Sequence, residues 1–399
     1  MKPRNVIVFA LFILAALGVV GWQLLGIGKP GGALATPASP LEISVSYSSE
    51  TQDWLTAAIA TYNQQQVKVG ERQVIVKASR IEDEEAVRQI AERVITPTVW
   101  IPSSTLWVNK LNNRWRSLGN NSDLVLRSGE YQAAPLVLSP MVFVMYQERA
   151  DPFIKKYKQA DWVTVQQAIT EPGGWAAIGG DANWQTFKLG QANPRTTNAG
   201  LMAVTLASYG YFASKGQLNL AGLTAAQLKD SNYGTWLNSL ERGVITFDTD
   251  PAVMMRNMVS IGAAQYDLIA VPENLAATQM KNAAELRVFY PPINIWSDHP
   301  YGILQTGSSA EQKDAALNFQ EFLYSEAQQR TGLKYGFRPA NPDVSVVSND
   351  ADNPFNKYAA QGLQARIARS SVAAAPSGEV TQALDDALGS IVDSAGNKR

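Results

Sequence analysis

The chain has 399 residues, of which 46% are hydrophobic and 17% are charged, so it can bury the core of one large globular unit or of two lobes. Its 34 basic and 35 acidic residues leave a net charge of −1, which gives no overall field that would attract nucleic acid. Cysteine is absent and His299 is the only histidine. This excludes disulfides, thiolate metal sites and a lipid-modified cysteine, and it argues against a histidine-built metal site or a Ser-His-Asp triad.

The N-terminus has the pattern of an export signal. Lys2 and Arg4 precede an apolar run over residues 6–27, whose 22 residues exceed the roughly 7–15 of a cleaved signal and match the roughly 20 that span a bilayer. We predict an uncleaved transmembrane anchor over residues 1–27. The basic flank places the body of the protein on the extracytoplasmic side. Ala33-Leu34-Ala35 could be a peptidase site, which leaves cleavage and secretion as the alternative.

Residues 28–40 predict a linker, because they are rich in Gly, Pro and Ala and show no periodicity. A G-x-G-x-x-G match at Gly26, Gly28 and Gly31 overlaps it, which is the spacing of dinucleotide-binding loops. Pro30 lies inside the match and no helix opens after it. We therefore reject a dinucleotide site and predict no cofactor.

From residue 41 the pattern becomes α/β. Alternating and helical apolar periodicities follow one another, which predicts a largely parallel sheet. The predicted elements are a strand at 43–47, a helix through 54–62, a strand at 74–76, a helix at 82–94 and a strand at 98–102.

The apolar segment 136–146 contains Pro140, which argues against a single central strand. We interpret the segment as a crossing from one lobe to another, kinked at Ser139-Pro140. A second α/β set follows, with a helix at 200–213, a strand at 266–271 and a return crossing at 288–304.

These elements predict two lobes and an extension. The first lobe takes residues 41–140 and 295–345, and the second takes residues 141–294. Residues 346–399 form a C-terminal extension with one amphipathic helix, marked by apolar residues at 380–392, which we expect to dock on a lobe rather than on a partner. Nothing in the sequence predicts more than a monomer.

Several short motifs follow one another at characteristic spacings over about residues 41–343. They are Tyr47-Ser48-Ser49, Val99 to Ser104, Leu138 to Val142, Asn193 to Gly200, Tyr266 to Glu273, Tyr290-Pro291-Pro292, Asp298 to Tyr301 and the closing Gly336-Phe337-Arg338-Pro339. In order and spacing they resemble the motifs of bacterial extracellular solute-binding proteins related to the molybdate and sulfate binders. The likeness is greatest to a branch often found with a von Willebrand factor A domain.

The resemblance implies an α/β fold of the type II periplasmic-binding kind, with two lobes joined by two crossings, here behind an N-terminal transmembrane helix. It implies a bacterial cell-membrane location, a small polar solute held in the cleft, and a membrane transporter or a von Willebrand factor A domain protein as partner. The chain departs from the family by lacking the lipid-anchoring cysteine. It also carries Glu273 in a loop that would face an anion, which weighs against the family's oxyanion ligands.

Polar side chains follow the predicted strands where helices begin. In open α/β sheets, ligands lie beyond the carboxyl ends of the strands, where helix N-termini offer free N–H groups. Each junction could equally be a plain helix cap, and capping and ligand contact are compatible. The candidate ligand-binding residues are Ser48, Ser49, Ser103, Ser104, Thr197, Asn198 and Glu273.

Two residues give opposite indications of the ligand's charge. Glu273 at the cleft would favour an amine or hydroxyl ligand, whereas Arg195 could pair with a phosphate or carboxylate. We expect His299 to be a hydrogen-bonding residue of the return crossing and most tryptophans to lie in the core. Arg338 is expected to bond carbonyls or to tie the last helices to the sheet.

The sequence thus predicts a membrane-tethered solute-binding protein with no catalytic or metal site. One alternative is a scaffold of the same fold whose cleft is filled by its own side chains. A less favoured alternative is a hydrolase with paired carboxylates among Asp248, Asp250, Asp267 and Glu273, whose spacing does not demand it.

Overall fold

The computed structural model describes residues 39–218, 222–280, 283–389 and 391–392. The chain divides into two compact units, residues 1–39 and 40–399, and the second contains the elements described below. The predicted anchor at residues 1–27 and the linker up to residue 38 lie outside the described residues. Within the described part, no helix is both long enough and apolar enough to cross a bilayer.

The strands, in chain order, are β1 (Leu41–Tyr47), β2 (Lys68–Val69), β3 (Arg72–Arg80), β4 (Val99–Ile101), β5 (Ala134–Pro135), β6 (Val137–Tyr146), β7 (Leu189–Gly190), β8 (Leu268–Pro272), β9 (Leu286–Phe289), β10 (Trp296–Ser297), β11 (Pro300–Ile303) and β12 (Arg338–Pro339).

The helices are α1 (Gln52–Gln64), α2 (Asp83–Ala91), α3 (Thr105–Ser117), α4 (Gln147–Tyr157), α5 (Trp162–Thr170), α6 (Gly174–Ile178), α7 (Asn198–Ser214), α8 (Ser231–Glu241), α9 (Pro251–Ile261), α10 (Glu273–Gln279), α11 (Ala310–Tyr324), α12 (Glu326–Lys334), α13 (Pro354–Lys357) and α14 (Gly378–Leu388).

The first lobe is built on a sheet with the order β2-β3-β1-β4-β11-β5. β1 runs parallel to β3 and β4, whereas β2, β5 and β11 are joined by antiparallel pairings. The inward residues Ile43 and Val45 of β1 share one apolar core with Trp54 of α1 and Phe319 of α11. The segment after residue 300 therefore completes both the sheet and its core.

The second lobe is built around β6, which pairs antiparallel with β8, β9, β10 and β12. The expectation of largely parallel sheets holds for the centre of the first lobe and is wrong here, because the returning strands run opposite to β6. The long helix α7 is buried on nearly all sides, since its residues are small or apolar around the whole circumference.

The expectation that Pro140 kinks the segment 136–146 and keeps it from forming one strand is also wrong, although the chain does pass between the two sheets at the start of this segment. Residues 137–146 form one strand, but that strand changes its partners at Pro140. Residues 137–140 pair with β12 and β10, and residues 141–146 pair with β8 and β9. A proline is tolerated at this exchange because no single ladder runs through it.

The chain passes between the two sheets at Leu136, which joins β5 to β6, and at Asp298-His299, which join β10 to β11. The two passages are bonded to each other. The N–H of Leu136 donates to the carbonyl of Asp298 at 3.3 Å, and His299 Nδ1 lies 3.1 Å from the carbonyl oxygen of Val137. His299 has a φ of 41°, a left-handed conformation that is uncommon outside glycine and marks a constrained position.

The C-terminal extension docks on both lobes. From α3 of the first lobe, Asn109 donates to the carbonyl of Pro376 at 2.7 Å, and Lys110 pairs with Asp385 of α14 at 3.0 Å. From the second lobe, Arg195 donates to the carbonyl of Val392 at 3.2 Å. The extension is thus an integral part of the folded body.

Candidate functional site

A cavity of about 490 Å³ opens where segments of the two lobes meet. Residues that follow β1, β3 and β4 line one side, and the N-terminal ends of α7 and α9 line the other. This agrees with the rule that ligands lie beyond the carboxyl ends of strands in such sheets. The lining residues are Ser49, Glu50, Arg80, Glu82, Asp83, Glu84, Glu85, Ser103, Thr196, Thr197, Asn198, Thr249, Asp250 and Pro251.

The serines of the first lobe are bonded to each other and to carboxylates. The Ser103 hydroxyl donates to Ser48 Oγ at 2.8 Å, and its backbone N–H donates to Asp83 at 3.2 Å. The Ser49 hydroxyl donates to Glu82 at 2.9 Å. Ser49 and Ser103 line the cavity, and Ser48 lies directly behind Ser103.

Asn198 joins the lobes. Its Oδ1 accepts the hydroxyl of Ser104 at 2.7 Å, and its Nδ2 donates to the carboxylate oxygens of Glu50 at 3.2 and 3.3 Å. The same Nδ2 lies 2.9 Å from Ser297 Oγ. The structure therefore brings two sequence-predicted residues, Ser104 and Asn198, into direct contact across the cleft.

Glu50 is the acceptor at the centre of this contact. Besides Asn198, the hydroxyl of Ser297 lies 3.0 Å away and shares its hydrogen with the carbonyl oxygen of Ser103 at 2.7 Å, and His299 Nε2 lies 3.3 Å away. Both ring nitrogens of His299 face acceptors, the Glu50 carboxylate and the Val137 carbonyl. The ring donates to both of them only in its protonated form.

The N-terminal ends of the helices at the cleft are already occupied. Asp298 accepts the backbone N–H of Thr105 at 2.7 Å and its hydroxyl at 2.6 Å, at the first turn of α3. Burial raises the pKa of Asp298, and these hydrogen bonds oppose the shift. Asp250 accepts two N–H groups at the start of α9, and Thr197 accepts the N–H of Gly200 in α7. The chain's own oxygens thus hold positions at which an anion would otherwise bind.

The cavity wall is strongly acidic. Its lining includes six carboxylates and a single guanidinium, that of Arg80. Asp83 is the deepest carboxylate, and burial raises its pKa well above the ordinary value while the Ser103 hydrogen bond opposes the shift. A neutral polyol or a cation meets a complementary wall here, whereas an anion meets like charge.

Glu273 requires a correction. Its side chain is 0% exposed and lines neither this cavity nor the adjacent one of about 450 Å³. Both carboxylate oxygens accept from Arg338 at 2.6 Å, and Tyr290 adds a further hydrogen bond. Burial raises the pKa of Glu273, and Arg338 opposes the shift. The first turn of α10 lies beneath the closing segment, so this carboxylate is part of a structural ion pair.

The other charged candidates are also engaged within the protein. Arg195 donates to the carbonyls of Asp385 and Val392 rather than facing the cavity. Asp267 is buried against Arg149 at 2.9 Å, and Asp248 accepts the hydroxyl of Tyr266 at 2.7 Å. These contacts give no paired carboxylates arranged around a shared substrate position.

Sequence reasoning missed Glu50 and Ser297, and it considered Asp250 only as a carboxylate of the hydrolase alternative. Glu50 lies in the same junction as Ser48 and Ser49, so its position was available from the sequence. Its partner Asn198 is 148 residues away, and no local pattern reports that contact. Asp250 precedes Pro251, a helix-start signal that marks α9.

Comparisons with known proteins agree with this architecture. A family model described as bacterial extracellular solute-binding protein matches residues 43–338. Among curated proteins, none matches. The structure is similar to the sulfate-binding protein SubI from Mycobacterium tuberculosis H37Rv, with 16% identity and a TM-score of 0.51 over 81% of this chain and 92% of that one.

Two further solved structures are similar. The periplasmic binding protein AfuA from Actinobacillus pleuropneumoniae, with fructose-6-phosphate bound, has 14% identity and a TM-score of 0.51 over 81% of this chain and 98% of that one. An ABC transporter solute-binding protein from Thermotoga lettingae TMO, with alpha-D-tagatose bound, has 11% identity and a TM-score of 0.57 over 87% of this chain and 92% of that one. At such identities the likeness shows the fold alone, a two-lobed α/β periplasmic-binding fold. The family model covers most of the sequence, and this chain belongs to the bacterial extracellular solute-binding protein family.

Proposed function

We propose that this protein captures a small polar solute in the cavity between its lobes, on the extracytoplasmic side of a bacterial membrane. The observation that supports this most directly is the cavity of about 490 Å³, which is lined by residues of both lobes. A ligand that touches both walls stabilises the closed arrangement of the lobes. The tether is proposed from the sequence of residues 6–27 alone.

Binding would act by closure. The lobes would rotate about the bonded passages at Leu136 and Asp298-His299, which hold the two sheets at one edge. The hydroxyl groups of Ser49, Ser103 and Thr197 would then contact the solute. A membrane transporter would recognise and bind the closed conformation. A von Willebrand factor A domain protein is the alternative partner.

The ligand we favour is neutral or positively charged. The similar structures hold chemically different ligands, with sulfate named for one, a sugar phosphate for another and a ketose for a third, so the fold leaves the chemistry open. The acidic wall of this cavity suits a polyol or an amine. This inference replaces the choice between Glu273 and Arg195, since both are engaged elsewhere.

A scaffold that has lost its ligand remains the second candidate, and one observation favours it. Ser104 and Asn198, which the sequence offered as ligand-binding residues, bond to each other and to Glu50. A cleft closed by its own side chains needs no solute. The two candidates differ in a single measurable property, which is the binding of any small molecule.

The test is a thermal-shift screen of residues 36–399, which include the compact unit that begins at residue 40. The panel holds amines, polyols, sugars, amino acids, nucleosides and oxyanions. A ligand at about 100 times its dissociation constant adds about 2.7 kcal/mol to the free energy of unfolding. A hit confirmed by calorimetry, and lost in Ser103→Ala but kept in Thr61→Ala on the exposed face of α1, supports solute capture. If the protein is folded and no compound of the panel raises its melting temperature, the result supports a scaffold that has lost its ligand.

A further inference from the structure

The carboxylate of Glu50 lies in the cleft and is held there by side chains of the protein, as a bound anion would be. It belongs to the short 3-10 turn at Ser49–Thr51 that follows β1, so it is fixed to the first lobe. Its carboxylate reaches Asn198 at the start of α7 in the second lobe, at 3.2 and 3.3 Å. The side chain is only 13% exposed, although it lines the cavity.

Three donors converge on this carboxylate from different elements. They are Asn198 Nδ2 from α7, His299 Nε2 from the passage between lobes at 3.3 Å, and the Ser297 hydroxyl from β10 at 3.0 Å, whose single hydrogen is shared with the carbonyl oxygen of Ser103 at 2.7 Å. Asn198 is 3% exposed, and Ser297 and His299 are 0% exposed. Buried donors of this kind require acceptors, and a charged acceptor forms the strongest bonds with them.

We infer that these donors form a site for a carboxylate or small oxyanion, and that Glu50 fills it as a tethered internal anion. Glu50 then sets the specificity of the cleft, because a free anion must displace it or bind beside it. The inference rests on the proposed function, since it concerns which solutes the cleft admits.

The arrangement also links Glu50 to the closed state. The carboxylate is covalently part of the first lobe, so its contact with Asn198 carries no cost of capturing a free ion. The contact joins residues 148 apart in the sequence. Removal of the Glu50 carboxylate therefore has two effects, since it vacates the donor set and weakens the contact between lobes.

The experiment compares wild type, Glu50→Gln and Glu50→Ala in the full chain, solubilised in detergent. The probes are acetate and sulfate, titrated at constant ionic strength with chloride as the balancing salt. Because His299 is the only histidine, ¹⁵N-histidine labelling gives one imidazole signal set, which reports directly on the donor site. Melting temperature is followed in parallel.

In wild type we expect the chemical shifts of His299 to stay unchanged when acetate or sulfate is added. In Glu50→Ala the signals shift with saturable dependence on acetate or sulfate, and the affinity exceeds that of wild type by about tenfold or more, as one charge-assisted hydrogen bond requires. Glu50→Gln keeps the side-chain volume, and its neutral amide leaves a smaller gain. The control is Glu82→Ala, which removes a neighbouring carboxylate that bonds Ser49 instead of the donor set.

Equal responses in wild type, Glu82→Ala and both Glu50 variants overturn the inference. So does saturable sulfate or acetate binding by wild type that moves the His299 signals, and in that case solute capture itself still stands. If Glu50→Ala fails to fold, Glu50→Gln decides the question by the same signals. If no compound of the thermal-shift panel binds wild type, solute capture is contradicted, but the gain of anion binding in the Glu50 variants can still be measured. Failure of the proposed function and failure of this inference are therefore distinguishable.

Discussion

Replacement of Arg338 by methionine should be one of the most damaging single changes in the folded body. Arg338 is 4% exposed and holds both oxygens of the Glu273 carboxylate at 2.6 Å. Without it, Glu273 remains as an unpaired buried charge, which costs about 3–5 kcal/mol. The guanidinium also donates to the carbonyls of Gln364 and Ala365, and each lost bond adds about 1 kcal/mol.

The assay is urea unfolding of wild type, Arg338→Met, Glu273→Met and the double variant. A buried pair replaced by apolar residues of similar volume is often close to neutral, so the double variant should be more stable than Arg338→Met despite carrying one more substitution. Its remaining deficit comes from the two unpaired carbonyls. A double variant whose loss equals the sum of the single losses would refute the coupling that the geometry requires.

The same variant predicts a pH dependence with a definite sign. Burial raises the pKa of Glu273, and Arg338 opposes that shift, so the loss of Arg338 moves the pKa higher still. A carboxyl whose pKa is raised by folding takes up a proton in the folded state, and the folded state gains stability as the pH falls through that pKa. The gap in unfolding free energy between wild type and Arg338→Met should therefore narrow from about pH 8 to about pH 5. A gap that widens contradicts the assignment.

Three further outcomes follow from the structure. Asn198→Ala should cost about 1–3 kcal/mol and increase the radius of gyration in solution scattering, because it unpairs the buried Ser104 hydroxyl and removes one donor from Glu50. Thr197→Ala removes a helix cap, should cost about 1 kcal/mol and should leave the radius of gyration unchanged. Leu384→Ala in α14 should cost about 2–5 kcal/mol in thermal or urea unfolding, since the side chain is 0% exposed. Gly336→Ala should lower the free energy of unfolding by more than the roughly 1–2 kcal/mol that a left-handed backbone costs an alanine, because the new Cβ would lie 2.7 Å from a backbone oxygen of α10. Gly119→Ala is the control: Gly119 has a φ of 92° with open space around it, so its replacement should show the backbone cost alone.

Local patterns in the sequence were sufficient for most elements of the first lobe. The strand at 43–47, the helix through 54–62 and the strand at 98–102 all appear with shifted ends. Each is specified by periodicity within a short window, which a sequence displays directly. The family resemblance, which rests on motif order, was confirmed by the match over residues 43–338.

The errors occur where a distant partner decides the outcome. Pro140 argued for a break in the strand, yet two different sets of neighbouring strands meet there and tolerate it. Glu273 was predicted to be a ligand-binding carboxylate of the cleft, because a local pattern does not show its partner Arg338, which lies 65 residues later. The hydroxyl and amide residues of the cleft were chosen correctly as strand-to-helix junction residues, but their ligand role stays a prediction.

The C-terminal extension limits how the lobes can move. One cluster of buried apolar side chains joins Leu111 of α3, Phe212 of α7 and Leu384 of α14. Lys110 binds α14 from the first lobe, and Arg195 binds it from the second. A rotation that separates α3 from the Arg195 loop must therefore release α14 from one of them and expose apolar surface, which costs about 25 cal/mol for each Å². If the lobes close as proposed, the movement has to be small or it has to include the undocking of α14.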